Sequence, residues 1–413
     1  MTPEPIREAL LSDSILSQVA LSYSPMIDPQ RAVTATRLTV FQLVPGAPLD
    51  AASLLATVAT VWPENGGRVS LNVLSETLLT DLLRAQPSVN VMIELPAFIA
   101  CDVDQSAAIV ALHERGNTLL LKGRPLSELP REVLPCFTHS IIDLADDRRL
   151  QAPLPTAGVT RSIGQIQLGV TRLEDMEASF QRGAVAVLGW PMDEVLSSPP
   201  GSGKGRNSAS DLQVILELIQ RVDQAEPIEK LDETLRRDPT LAFKLLRYIN
   251  SPGFGLSVEV SSFHHAIMML GYSRLKRWLA LLLATASKDI NLRPVMFAAV
   301  RRGMLMEELV RPLGDEEMRN ELFICGVFSL LDRMFGQPFA ELLDSLPVPA
   351  RVFEALAEGS GPYAPYCALA QAVEGDVLDP IRDACERLMI DTAEVNRALL
   401  SSLAQAAELD GSG

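Results

Sequence analysis

The sequence predicts two domains: a (β/α)-type barrel whose first two strands pair antiparallel, followed by an all-α domain. Three observations predict it. Before residue 197, eight short runs rich in aliphatic and β-branched residues alternate with amphipathic stretches. From Ser197 to Ser210 the chain reads SSPPGSGKGRNSAS, where only the small Ala209 could be held to a core. Beyond it, helical periodicity takes over and no strand run of comparable strength recurs. The expected boundaries are residues 1–196 for the barrel domain, 197–210 for a flexible linker and 211–408 for the helical domain.

The eight expected strands are Ala20 to Ile27, Ala35 to Phe41, Arg68 to Val73, Val91 to Leu95, Thr118 to Leu121, Ser140 to Leu144, Ala157 to Thr160 and Ala184 to Leu188. Amphipathic stretches at Asp50 to Val61, Ser75 to Gln86, Asp104 to Arg115 and Leu173 to Gly183 supply crossover helices, the pattern of a barrel. Two connections break it. Asp28 to Thr34 is too short for a crossover helix, so the first two strands form an antiparallel pair. Asp146 to Thr156 carries Pro153 and Pro155 and leaves no room for a full helix.

In the second half Asp238-Pro239 supplies a cap and a first-turn proline before Leu241, Leu245, Leu246 and Ile249, a stripe that stops at Asn250-Ser251-Pro252-Gly253. Further helices are expected over Asp211 to Asp223, Ser273 to Lys288, Pro294 to Pro312, Asp315 to Phe335 and Pro362 to Val373. Asp379-Pro380 repeats the start signal, and Asp391 with Glu394 opens the last helix. Such a set packs as a bundle.

Composition narrows the function. A net charge of -16 runs against general nucleic-acid binding, which relies on Lys and Arg to displace counterions. The five cysteines are widely spaced with no C-x-x-C, which points to buried thiols in a cytoplasmic protein and away from a zinc knuckle. The apolar run WLALLLATA from Trp278 is far below the ~20 residues of a membrane span. Gly203-Lys204 fails as a phosphate loop, because Ser198 and Gly205 stand where the pattern needs glycine and a hydroxyl.

The helical half resembles the HDOD domain, a relative of the HD phosphohydrolases, through Asp238-Pro239, Leu245-Leu246-Arg247, Ile249-Asn250-Ser251, Ala266-Ile267, Leu270-Gly271 and Trp278. The first half resembles an EAL domain, the barrel that in active members hydrolyses cyclic di-GMP. Tyr23-Ser24-Pro25, Ser70 to Ser75, Ile93-Glu94-Leu95, Ile142-Asp143 and Gly189-Trp190-Pro191 carry that likeness in order. The resemblance implies a bacterial tandem related to cyclic di-GMP signalling.

Hydrolysis by an EAL domain takes two divalent cations held by carboxylates and an asparagine. Here the resemblance puts Thr36 at the signature glutamate, Val40 at the phosphate-gripping arginine, Lys122 in the fifth-strand acidic pair, and Ala157 and Thr160 at the seventh-strand glutamates. Asn72, Glu94 and Asp143 remain as vestigial positions, and the nucleotide-contacting glutamines become Ser24 and Leu188. In the helical half the His-Asp pair of an HD hydrolase falls at Ser329 and Leu330. Arg274, Lys276, Arg277, Arg301 and Arg302 are expected as a solvated helix face. No metal, cofactor or catalytic residue is therefore expected. The expected function is that of a non-catalytic regulatory protein acting through other signalling proteins, with nucleotide binding without hydrolysis, and behind it an active cyclic di-GMP phosphodiesterase, as the alternatives.

Overall fold

The computed structural model describes residues 4–11, 14–147, 163–193, 206–236, 263–285, 289–344 and 348–410. The chain forms two compact units, one built from Glu4–Glu194 with Gln371–Leu400, the other from Val195–Ala370 with the chain from Ser401 onward.

The first unit is a closed eight-stranded barrel in sequential order: β1 (Val19–Ile27), β2 (Val33–Gln42), β3 (Val69–Val73), β4 (Val91–Pro96), β5 (Leu119–Lys122), β6 (Phe137–Asp143), β7 (Gly164–Leu168) and β8 (Ala184–Leu188). β1 is antiparallel to both β2 and β8, and the remaining neighbours are parallel. The β1–β2 turn is short because Asp28 Oδ1 accepts from Ala32 N at 2.8 Å, closing it without a helix. Crossover helices follow where amphipathic stretches were expected. Asp50 caps Ala51–Val61 and Ser75 caps Glu76–Arg84, each through a side-chain oxygen.

The seventh strand corrects the expectation. It runs Gly164–Leu168, whereas Ala157 and Thr160 lie outside the described residues. Its polar positions hid it. Gln167 donates to Ile142 O at 2.8 Å and Gln165 to Asp147 Oδ2 at 3.4 Å, so a buried strand reads as a polar one.

Strand alternation layers the interior. Met26, Ala35, Met92, Leu120, Ile141 and Ile166, from six strands, join one apolar cluster. Two residues along a strand lies the same face one step further, and counting in twos from these gives Ser24, Arg37, Glu94, Lys122, Asp143 and Leu168. A polar layer thus sits on the apolar one, toward the C-terminal ends of the parallel strands.

Residues 371–400, expected within the helical domain of 211–408, belong instead to the barrel unit. The reason is an open strand edge. β8 pairs with β1 only at Met26 and Ile27, leaving the earlier β1 backbone without a strand on that side. Tyr23 N donates to Val373 O at 2.8 Å and Leu21 N to Asn396 Oδ1 at 2.9 Å. The buried Asn396 amide in turn donates to Leu16 O and Val19 O at 2.8 and 2.7 Å.

In the second unit the secondary-structure elements among the described residues are all helices. The helix Arg206–Asp223 begins inside the stretch expected as linker, once its glycines are passed. The Asp238-Pro239 signal lies outside the described residues. Phe263–Thr285 breaks at Gly271, whose φ of 68° is a left-handed conformation that glycine adopts freely. The expected helix Asp315 to Phe335 is two helices, Glu316–Phe328 and Leu331–Phe335, interrupted at Ser329-Leu330.

Arg293–Val310 and Glu316–Phe328 cross at Gly303 and Gly326. A Cβ on Gly326 would stand 2.6 Å from both Arg302 O and Gly303 N, backbone atoms that cannot swing aside. Gly326→Ala is expected to destabilise this unit by about 1–3 kcal/mol, seen as a lower urea midpoint with an unchanged slope.

Arg274 is exposed as expected, but the rest of the expected solvated basic face is corrected. Arg301 and Arg302 are buried, and Arg277 lies over the Phe323 ring at 3.8 Å while gripping Glu307 with both terminal nitrogens. Arg319 and Arg311 complete that network around the buried Glu307 carboxylate, at 3.0 and 3.6 Å. Lys276 pairs with Asp223. The acidic partners of Lys276 and Arg277 come from other helices, so these two charges are offset across the packing of the unit.

Candidate functional site

The polar layer at the barrel mouth gathers Glu94, Asn72, Lys122 and Asp143, all singled out by sequence, with Arg37 and Asp376, which were not. Glu94 on β4 is buried, and its carboxylate accepts from Arg37 Nε at 2.8 Å, Arg37 Nη2 at 3.0 Å and the Ser70 hydroxyl at 3.0 Å. Arg37 is itself buried, and its Nη1 reaches Asp376 Oδ1 at 3.1 Å, on a carboxylate half open to solvent. Asn72 on β3 donates to Thr39 Oγ1 at 3.1 Å and accepts from Lys122 Nζ at 2.6 Å. Asp143 ends β6, where its Oδ1 accepts from Ala145 N at 2.9 Å and closes a turn.

Arg37 and Asp376 are the residues that sequence reading missed. Thr36 lies beside Arg37 on β2, paired with Pro25 and Val69, so its side chain points to the opposite face and does not join the cluster. The alternation Arg37-Leu38-Thr39-Val40 carries the signal: the polar members share the inner face with Glu94. Asp376 arrives from more than three hundred residues away along the chain, and no local pattern could announce it. Two motif residues anchor its segment. Trp190 Nε1 donates to Glu374 O at 2.9 Å, and the Trp190 ring meets Tyr23 edge-on at 5.4 Å.

The charges settle one another. Burial would raise the Glu94 carboxyl, but the Arg37 guanidinium, with Lys122 and the Ser70 hydroxyl, holds it below its ordinary range. Burial would lower Arg37, but Glu94 and Asp376 keep it above its usual value. Lys122 goes the other way, pushed down chiefly by burial, with Glu94 opposing and Arg37 reinforcing the shift.

This donor set does not fit two divalent cations. Both Glu94 oxygens are committed to a guanidinium, the Asn72 oxygen is committed to an ammonium, and a metal ion placed between them would face both positive charges. Among the described residues, no group of three or more His, Cys, Asp or Glu side chains is placed to hold a metal ion. At the end of β7 the chain reads Leu168-Gly169-Val170-Thr171, with no carboxylate among them. Leu188 is buried in the apolar layer, and Val40 is buried on β2.

The positions expected for the HD pair, Ser329 and Leu330, lie between two helices of the second unit. Ser329 Oγ donates to Gly326 O at 2.7 Å and accepts from Arg302 Nη1 at 3.1 Å, while Leu330 is buried. No described helix is long and apolar enough to cross a membrane.

Residues 210–335 match the HDOD domain. The chain carries an HDOD domain. Two curated relatives also match. The cyclic di-GMP phosphodiesterase CdgJ of Vibrio cholerae is 24% identical over 206 residues, which cover 50% of this chain and 48% of that protein. The uncharacterized protein YuxH of Bacillus subtilis is 25% identical over 213 residues, 50% of this chain and 51% of that one. The chain spans about half the length of the curated relatives it matches. Among solved structures, the c-di-GMP-bound form of a standalone versatile EAL protein from Vibrio cholerae is similar with a TM-score of 0.30 and 16% identity, over 41% of this chain and 89% of that one. In sequence order the chain thus sets a closed barrel with an antiparallel first strand pair before the HDOD match.

Proposed function

We propose that this tandem is a non-catalytic signal-transduction protein related to cyclic di-GMP signalling, acting through contacts with other proteins. The observation that carries the proposal is the pair of cations in the barrel mouth. Arg37 and Lys122 engage Glu94 and Asn72, the groups that a two-metal phosphodiesterase would need free. The link to cyclic di-GMP rests on the relative of that name in Vibrio cholerae. The same name favours a second reading, in which this chain itself binds or hydrolyses cyclic di-GMP.

One experiment separates the readings. The full chain is titrated with cyclic di-GMP in a calorimeter, with magnesium or manganese present, and the mixture is then analysed for the linear dinucleotide. No heat and no product are the expected results. Heat without product supports a sensor, and linear dinucleotide formed at enzymatic rates overturns the proposal.

A further inference from the structure

Two of the five cysteines come together although forty-two residues separate them: Cys325 Sγ and Cys367 Sγ stand 3.6 Å apart. Both lie in the HDOD-bearing unit, Cys325 on the helix Glu316–Phe328 and Cys367 on the helix Ala364–Ala372. From this geometry we infer that Cys325 and Cys367 are a redox-modification site, a dithiol that a hydroperoxide converts reversibly to a disulfide.

The approach of the two sulfurs is held in place one turn earlier. Glu321 and Cys325 are four apart, as are Tyr363 and Cys367, so each pair stacks on one face of its segment. Tyr363 Oη donates to Glu321 Oε2 at 2.7 Å, and Arg351 Nε reaches the same oxygen at 3.0 Å. That buried contact fixes the separation of the segments and leaves the next rung to the two thiols. The sulfurs must close from 3.6 Å to the roughly 2.05 Å of a disulfide.

The thiols differ in a way that assigns their roles. Cys325 is fully buried, whereas Cys367 is partly exposed. The hydrogen bond between them, together with burial, pushes Cys325 up, so it keeps its proton. That hydrogen bond, with help from the Arg302 guanidinium and against burial, holds Cys367 below the ordinary thiol value. Cys367, the more exposed and the more readily ionised of the two, is therefore the sulfur that meets oxidant, and Cys325 is the resolving thiol.

In the first step the Cys367 thiolate attacks one oxygen of hydrogen peroxide. The O–O bond breaks, a sulfenic acid forms, and hydroxide leaves and takes a proton from solvent. In the second, Cys325 gives up its proton as its sulfur attacks Cys367 Sγ. The S–O bond breaks, and the departing hydroxide takes that proton as water. Two thiols are oxidised by two electrons in all, and the peroxide is reduced to two waters.

The test uses the reduced full chain, exposed to hydrogen peroxide, quenched, alkylated and digested without reductant for mass spectrometry. The expected product is a peptide pair joined through Cys325 and Cys367, two hydrogens lighter than the reduced pair and separated again by dithiothreitol. Oxidised chain should also show a melting temperature higher by several degrees, since the crosslink constrains the unfolded chain. In Cys325→Ser the oxidation should stop at a sulfenic acid on Cys367 that dimedone traps. Alkylation of both thiols after peroxide has visibly oxidised methionines of the same sample would overturn the inference, as would a crosslink made equally by other cysteine pairs.

Discussion

Arg37→Met is expected to destabilise the barrel unit by about 3–5 kcal/mol, the cost of leaving a buried charge without its partner. Arg37 and Glu94 have side chains 1% and 0% exposed, and the guanidinium makes two hydrogen bonds to the carboxylate. Its loss strands Glu94 in an interior where water cannot replace it. Two comparisons separate this account from general disruption. Arg37→Met with Glu94→Met removes both charges together and should recover most of the loss. Asp376→Asn, at a carboxylate 54% exposed, should cost under about 1 kcal/mol.

The same pair fixes a pH dependence. The Glu94 carboxyl is held below its ordinary 4.5 in the folded chain, so the stability it contributes is complete above about pH 4.5 and is lost as pH falls through the folded value. In Arg37→Met the sign reverses, because burial without a partner raises the carboxyl and protonation then relieves the strain. The stability gap between the variant and the parent chain should therefore narrow on acidification, measured by urea unfolding at pH 7 and pH 4. A gap that stays constant would mean that Glu94 is not the source of the loss.

Asn396→Ala is the second large effect. One side chain, fully buried, satisfies Leu21 N, Leu16 O and Val19 O. At about 1–3 kcal/mol for each buried group left unpaired, and allowing for partial relaxation, the loss should reach about 3 kcal/mol. It should also be local. Amide exchange in peptides covering residues 14–27 should accelerate well before the central strands do, because the unpaired edge of β1 is what Asn396 covers. Unchanged protection there would show that the docked segment contributes little to β1.

These two variants mark where local pattern stops being informative. The resemblance to EAL motifs picks out Glu94, Lys122 and Asn72 in the sequence, and in the fold they share the inner face of their strands. β7 escaped because its buried outer positions are Gln165 and Gln167, whose amides are satisfied by Asp147 and by Ile142 O. Arg37 escaped because motif matching placed Thr36 at the signature position, and a shift of one residue exchanges inside for outside. The basic run Arg274 to Arg277 was read as a surface because its acidic partners, Asp223 and Glu307, lie on other helices.

By itself the sequence determined two halves of different character and an antiparallel first strand pair, and its resemblance to EAL motifs implied too few carboxylates for a two-metal site. These follow from periodicity, turn length and residue identity, all of which are local. Tertiary structure alone decided that Arg37 neutralises Glu94, that Lys122 engages Asn72, that residues 371–400 close the edge of the barrel, and that Cys325 meets Cys367. Each is a pairing across a long stretch of chain, selected because a buried charge, an open strand edge or a buried thiol has to find its complement wherever folding brings one.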